Sequence, residues 1–197
     1  KMVRISIFSL IYKSPKYAEF VRYGVVKNTP TLKDETEFYF IANNPTKELK
    51  DYLDVNGLPY YLFETPPQLP YPENLKEIYQ AWNFGVSKAR GKIVVLLNSD
   101  MYPAKDWLEN LIKNLDENKI ITSRLTESGK IPSTFPYTLV RDFGRTPENF
   151  QEEDFQLWAE HWKVGTTMPK GTFMPMAIYK ETFLKFGGFP EGNVDGI

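Results

Sequence analysis

Few segments of this 197-residue sequence pair reactive side chains with a position that can use them, and Asn98-Ser99-Asp100 is the foremost. It follows the apolar run Lys92 to Leu97, so a carboxylate and an amide arrive where a buried strand is expected to end. Alternate residues of an extended chain share a face, which would send Asn98 and Asp100 to one side. Hard oxygen donors so placed suit Mg²⁺ or Mn²⁺, which need only one or two protein carboxylates when substrate phosphates and water complete the shell. Taken alone, an Asn-x-Asp is as often a turn former or helix cap. Glu152-Glu153-Asp154 opens an amphipathic stretch, where acidic residues ordinarily serve the helix dipole. Trp158 and Trp162 share a helical face and make either core or a platform for a sugar ring. The lone His161 between aromatics reads as packing or exposed surface before it reads as a ligand.

Composition narrows the classes. Lys and Arg number 24 against 25 for Asp and Glu, a formal charge of -1, so nothing neutralises a phosphate backbone and nucleic acid is not expected as a main partner. With no cysteine there is no thiolate nucleophile, disulfide framework or Cys-ligated zinc. Apolar runs fall far short of the roughly 18 residues that cross a bilayer, and the expectation is a cytoplasmic protein without a membrane span. Neither G-x-G-x-x-G nor G-x-x-x-x-G-K-[ST] occurs, which disfavours a Rossmann dehydrogenase and a P-loop enzyme.

The elements that must position these residues alternate as strand, helix, strand. Arg4 to Leu10 reads as a strand. A helix follows from Ser14-Pro15 to about Asn28, then a strand Glu37 to Ala42, a helix from about Thr46 to Val55 closed by Asn56-Gly57, and a strand Pro59 to Phe63. After a proline-rich loop, Asn74 to Arg90 is helical, Gly91 stops it, and Lys92 to Leu97 is the central strand. Trp107 to Leu115 is a further helix and Ile120 to Ser123 a short strand. Glu127 to Met168 breaks the pattern, with one helix around Gln151 to Trp162. Thr172 to Tyr179 is expected as a strand and Lys180 to Phe186 as a helix. The fold class is α/β, a Rossmann-like, mostly parallel twisted sheet flanked by helices, forming one domain over residues 1–197. Ligands in such sheets bind beyond the carboxyl ends of the strands, here Ser9 to Tyr12, Ala42 to Asn44, Glu64 and Asn98 to Asp100.

Asn83-Phe84-Gly85, Ala89-Arg90-Gly91, the strand Val94 to Leu97 and Asn98-Ser99-Asp100 together resemble the N-x-G, A-x-G, strand and D-x-D run of family 2 glycosyltransferases with the GT-A fold. A second block, Gly171-Thr172-Phe173-Met174 through Gly187-Gly188-Phe189-Pro190-Glu191, is similar to the same family's acceptor-side run ending in G-G-F-x-E. The resemblance implies a nucleotide-sugar-binding half over 1–123 and a short acceptor-side extension over 124–197. It implies a metal-dependent transfer from a nucleoside-diphosphate sugar to a hydroxyl of a glycan, lipid or protein, with inversion, and Mn²⁺ or Mg²⁺ as cofactor. Asp100 becomes the principal metal ligand and Asn98 takes the first place of D-x-D as an auxiliary contact. Tyr12, Asn43, Asn44, Asn83 and Ser99 fall on the donor side; Gly171, Thr172, Glu191 and Trp158 fall on the acceptor side. The family's base follows G-G-F-x-E, which points to Asp195, with Asp154 as the other candidate. Trp82 stands where many relatives carry Arg, and Lys88 and Arg90 are the cations near enough to replace it, although both read more simply as solvated helix charges. The size suits a compact member such as some viruses carry. Two other readings stand beside this one: a non-catalytic carbohydrate- or nucleotide-binding protein on the same fold, and a sugar-nucleotide nucleotidyltransferase. The second lacks its expected Gly- and Arg-bearing loop, since Ser9 to Tyr17 contains neither residue.

Overall fold

The apolar run after Arg4 forms the centre of the sheet. In the computed structural model, which describes residues 2, 4–32, 34–66, 70, 74–129, 137–171 and 174–191, strand β1 (Ile5–Ile11) pairs in parallel with β2 (Thr36–Asn43) on one side and β4 (Ile93–Leu96) on the other. Strand β3 (Tyr60–Phe63) adds in parallel beyond β2. On the other flank β8 (Met176–Tyr179) runs antiparallel to β4 and also pairs with β5 (Ile121–Thr122), giving the order β3-β2-β1-β4-β8-β5. The sheet is therefore mostly parallel, as expected, and its strand order reverses between β1 and β4. A crevice opens at such a reversal, beyond the carboxyl ends of the two strands.

Alternation along β1 sorts the core into two layers. Ile5, Ile7 and Ile11, with Phe40, Val95 and Leu97, pack against α1 (Pro15–Asn28), α2 (Lys47–Val55) and α4 (Trp107–Ile112). Phe8, Ile41, Val94, Leu96 and Ile178 face α3 (Asn74–Lys88) and α6 (Lys180–Lys185) instead. The caps read from the sequence are present: Ser14 accepts from the Tyr17 amide at 3.4 Å, Thr46 from the Leu49 amide at 3.3 Å, and Gly57 leaves α2 with φ +59°.

Two glycines of the family run are packing residues. A Cβ on Gly85 would lie 2.1 Å from the Phe8 ring, so α3 can sit this close to β1 only without a side chain there. A Cβ on Gly91 would lie 2.8 Å from the Arg4 backbone, where the turn into β4 crosses the start of β1. Trp82, in the position where relatives carry Arg, is buried against Phe8 with ring centroids 5.5 Å apart.

Three features depart from the expected pattern. Helix α4 stops at Ile112 instead of Leu115, where the Leu115 amide turns back to the Ile112 carbonyl at 3.1 Å. Strand β5 keeps only two residues. The stretch expected to be irregular carries a small parallel ribbon, β6 (Thr126–Glu127) with β7 (Leu139–Val140), and a 3₁₀ turn Pro147–Asn149 before α5 (Glu152–His161). No helix among the described residues is long and apolar enough to cross a membrane.

Candidate active site

The segment after β4 is set by its neighbours on both sides. The Leu97 amide still bonds the Phe8 carbonyl at 3.1 Å, and the Met101 amide then turns back to the Asn98 carbonyl at 3.2 Å. Asn98 to Met101 is thus a turn, so strand alternation does not carry through it. Asp100 is exposed and lines a cleft with Leu97 and Met101, whereas Asn98 and Ser99 are half-buried outside that lining. The alternation behind the expected shared face of Asn98 and Asp100 therefore does not apply here.

Beyond Asp100 the chain is buttressed by α1. Gly24 lies so close to Pro103 that a Cβ would come within 2.8 Å of its ring, the Asn28 amide donates to the Pro103 carbonyl at 3.2 Å, and the Trp107 indole donates to Thr29 at 3.1 Å. The Tyr102 hydroxyl donates to Glu152 at 2.6 Å, and Lys27 pairs with the same carboxylate at 2.6 Å. Burial, joined by the bond to Glu152, pushes the Tyr102 phenol far above its ordinary range. Burial also acts upward on Glu152, but Lys27 and Tyr102 outweigh it and hold the carboxyl below its usual value. These contacts hang α5 on α1 and the segment after β4, although none of its own residues is buried.

The cleft has a volume of about 1150 Å³. One wall is α5, presenting Phe155, Gln156, Trp158, Ala159, Glu160 and Trp162. Trp158 is half-buried in it rather than core, its indole donating to Thr126 at 3.2 Å and Arg141 stacking on its face at 4.7 Å. Asp154 is exposed outside this lining and shares the outer side of the helix with Leu157 and His161 by helical spacing. The other wall follows β5, where Gly171 passes so near that a Cβ would sit 1.8 Å from the Thr122 hydroxyl.

Among the other expected site residues, Tyr12, Asn43 and Asn44 lie at the carboxyl ends of β1 and β2, outside the cleft lining. Asn44 adopts φ +45° and its side chain is engaged by Thr65, donating to the hydroxyl at 2.8 Å and accepting from the amide at 2.9 Å. Asn83 is committed to the second family block: it accepts from the Phe189 amide at 2.9 Å and donates to the Phe189 carbonyl at 3.0 Å and to Glu191 at 2.6 Å. Thr172 and Asp195 lie outside the described residues. Arg90 is no free helix charge. It clasps Glu37 at the opposite, amino-terminal edge of the sheet, with Nη2 2.5 Å from the carboxylate, while Lys88 lies over the Phe84 ring at 4.6 Å. Neither reaches Asp100's edge. Glu127 and Arg124, both in the cleft lining, were not singled out from the sequence, and they carry no local motif that could have marked them.

Asp100 makes no side-chain hydrogen bond or ion pair, and no group of three or more His, Cys, Asp or Glu side chains is placed to hold a metal, among the described residues. One free carboxylate at a cleft mouth still fits a Mg²⁺ or Mn²⁺ that takes its remaining ligands from diphosphate oxygens and water.

The comparisons agree with this architecture. Residues 1–349 of the S. aureus protein TarS, crystallised with UDP, share 17% identity with a TM-score of 0.60, over 96% of this chain and 51% of that one. A mannosyltransferase of Pyrobaculum calidifontis, solved with GDP-Man and Mn²⁺, shares 17% identity with a TM-score of 0.53, over 98% of this chain and 49% of its own. The chain thus spans about half the length of these structures. At this identity they establish the fold, and neither points to a viral source. No curated protein matches in sequence. The profile described as Glycosyl transferase family 2 matches residues 70–182, more than half of the chain, reaching from the end of the proline-rich loop through α3, β4 and the cleft wall to the start of α6. The chain belongs to glycosyl transferase family 2 and has the GT-A fold of its solved neighbours.

Proposed function

We propose that this chain transfers a sugar from a nucleoside-diphosphate sugar to an acceptor hydroxyl, with Asp100 as the protein's ligand to a divalent cation on the donor diphosphate. One observation carries this reading. In a chain of this family, Asp100 is an exposed carboxylate, unpartnered among the described residues, at the end of the central strand on the sheet edge where the strand order reverses. The neighbours solved with UDP, UDP-GlcNAc, and GDP-Man with Mn²⁺ support the donor class and the metal.

The bound cation supplies Lewis acidity that stabilises charge on the departing diphosphate. The protein's own contributions are distinct. Asp100 fixes the donor's diphosphate end, and the α1 buttress holds the turn that carries it. Tyr12 and Asn43 stand on the nucleotide side, and Asn43 is the freer of the two asparagines there because Asn44 is bound to Thr65. The cleft wall of α5 offers Trp158 to the acceptor. A carboxylate takes the acceptor proton as its oxygen attacks the anomeric carbon from the side opposite the leaving group, which inverts that centre. We assign this base to Asp195, from its order after G-G-F-x-E and because Asp154 faces out of the cleft.

Titration calorimetry with UDP and GDP in the presence of Mn²⁺ tests the reading. Asp100→Ala is expected to abolish metal-dependent nucleotide binding while leaving the melting temperature of the free protein unchanged, since its side chain has no partner to lose. Undiminished binding would sink the assignment.

A further inference from the structure

The cleft that begins at Asp100 is larger than one donor needs, and it is charged out of proportion to the chain. Small-molecule pockets typically enclose roughly 300–1,000 Å³. This groove follows the outer side of the edge strand β5, lined by Asp100 at one sheet edge and by Lys113 and Lys119 near the other. Helix α4 connects those edges, because β4 and β5 both run antiparallel to β8. Among the described residues, seven lysines and arginines line it against three carboxylates, Asp100, Glu127 and Glu160, in a chain whose formal charge is -1.

Partner assignments leave four unpaired cations against two unpaired carboxylates, Asp100 and Glu127, among the described residues, because Glu160 pairs with Lys163. Lys119, Arg145 and Lys163 are neutralised by Asp116, Asp142 and Asp106. Lys105, Lys113, Arg124 and Lys170 make no ion pair or hydrogen bond through their side-chain nitrogens among the described residues. They stand on four different segments, so no single helix face explains their gathering. Of the unpaired cations, Lys113 at the end of α4 stands near the sheet edge opposite Asp100, away from a donor diphosphate beside that residue, and Arg124 follows β5, two strands across from β4. Trp162, 40% exposed next to Trp158, adds an aromatic face of the kind that packs on sugar rings. An excess of one sign of charge along a cleft concentrates the opposite charge there.

We propose that this groove binds the acceptor and that the acceptor is an anionic glycan, carrying phosphate or carboxylate groups along its chain. This rests on the transferase reading and specifies its acceptor class. The anion's chemistry is shared by phosphate and carboxylate, and the test separates the two.

Binding of fluorescent dextran, carboxymethyl-dextran and dextran phosphate to the whole chain provides that test, with the polymer backbone held constant. At low salt at least one charged polymer is expected to bind about tenfold or more tighter than neutral dextran, with the advantage shrinking as NaCl is added. Which charged polymer binds identifies the anion. The triple variant Lys113→Gln, Arg124→Gln, Lys170→Gln is expected to fall to the neutral level. A control triple at exposed positions elsewhere, Lys76→Gln, Lys92→Gln, Lys185→Gln, removes the same charge and is expected to keep the preference. Equal affinity for all three dextrans, equal losses in the two triples, or tighter binding of oligothymidylate than of either charged dextran would each overturn the proposal. UDP and GDP binding measured on the same samples keeps the two readings apart: its absence overturns the transferase reading, while its presence without a dextran preference overturns the groove alone.

Discussion

Asp100 and Asp154 are both exposed aspartates whose side chains have no partner among the described residues, yet they stand in different surroundings. Asp100 ends a turn pinned by β1 and α1 and opens on the cleft; Asp154 occupies the solvent side of a helix whose other face forms the cleft wall. A base must come within hydrogen-bonding reach of the proton it removes, and such a base contributes about 10²–10⁴-fold. Asp195→Asn is accordingly expected to slow donor turnover, read as nucleoside-diphosphate release, by about a hundredfold or more with nucleotide binding retained. Asp154→Asn should stay within about twofold of the parent. The reverse order would return the role to Asp154. Asp100 was legible in the sequence because a β-branched apolar run announces its own end. The facing of Asn98 was not, since it depends on which residue is the last in the strand, and β4 ends at Leu96 with one further bond from the Leu97 amide. The groove cations were illegible for a different reason: four separate segments meet only through sheet topology.

At the scale of elements, the two motif blocks are one mechanical unit. Asn83 on α3 pairs with both backbone polar groups of Phe189, and Gly187 and Gly188, at φ +84° and +73°, form the turn that brings Phe189 there. A Cβ on Gly188 would stand 2.6 Å from the Asn83 oxygen, so the glycine is dictated by this clasp. The N-x-G asparagine, expected as a donor contact, is thereby tied to the turn of the second block. Asn83→Ala removes the side-chain bonds to the half-buried Phe189 backbone, a loss of about 1–3 kcal/mol. The expected outcome is a lowered urea midpoint and weakened transfer with nucleotide affinity unchanged. A matching drop in nucleotide affinity would restore the donor role instead. Long elements with caps, α1 and α2 above all, were readable from Ser14, Pro15, Thr46 and Gly57. The β6–β7 ribbon was not, because two-residue strands carry no periodicity and each is stabilised by a partner more than ten residues away.

Over the whole molecule, the two edges of the sheet divide structure from function. At the carboxyl edge not all polar side chains are engaged: Asn44 is bound to Thr65, but Asp100 has no partner among the described residues. At the amino edge they are consumed: Ser6 donates to Glu37 at 2.6 Å, the Arg90 amide donates to the same carboxylate at 3.0 Å, and the Gly91 amide donates to Ser6 at 2.8 Å. One carboxylate thus joins β1, β2 and the turn between α3 and β4, next to the glycine that lets the chain cross β1. Burial pushes the Glu37 carboxyl upward, but the bonds from Ser6 and from the Arg90 amide and guanidinium prevail and hold it below its usual 4.5. A carboxyl whose folded-state pKa is depressed stabilises the fold above its unfolded pKa, and that contribution disappears as pH falls through the folded value. The exposed ion pairs elsewhere are screened by water and contribute little to this slope. Denaturant midpoints should therefore decline as pH is lowered from about 6 to about 3, and Glu37→Gln should be less stable than the parent at neutral pH with a flatter decline over that interval. An unchanged acid slope in Glu37→Gln would mean that the clasp does not govern acid stability. Asp100→Ala, which touches only the free edge, should leave the slope as it is.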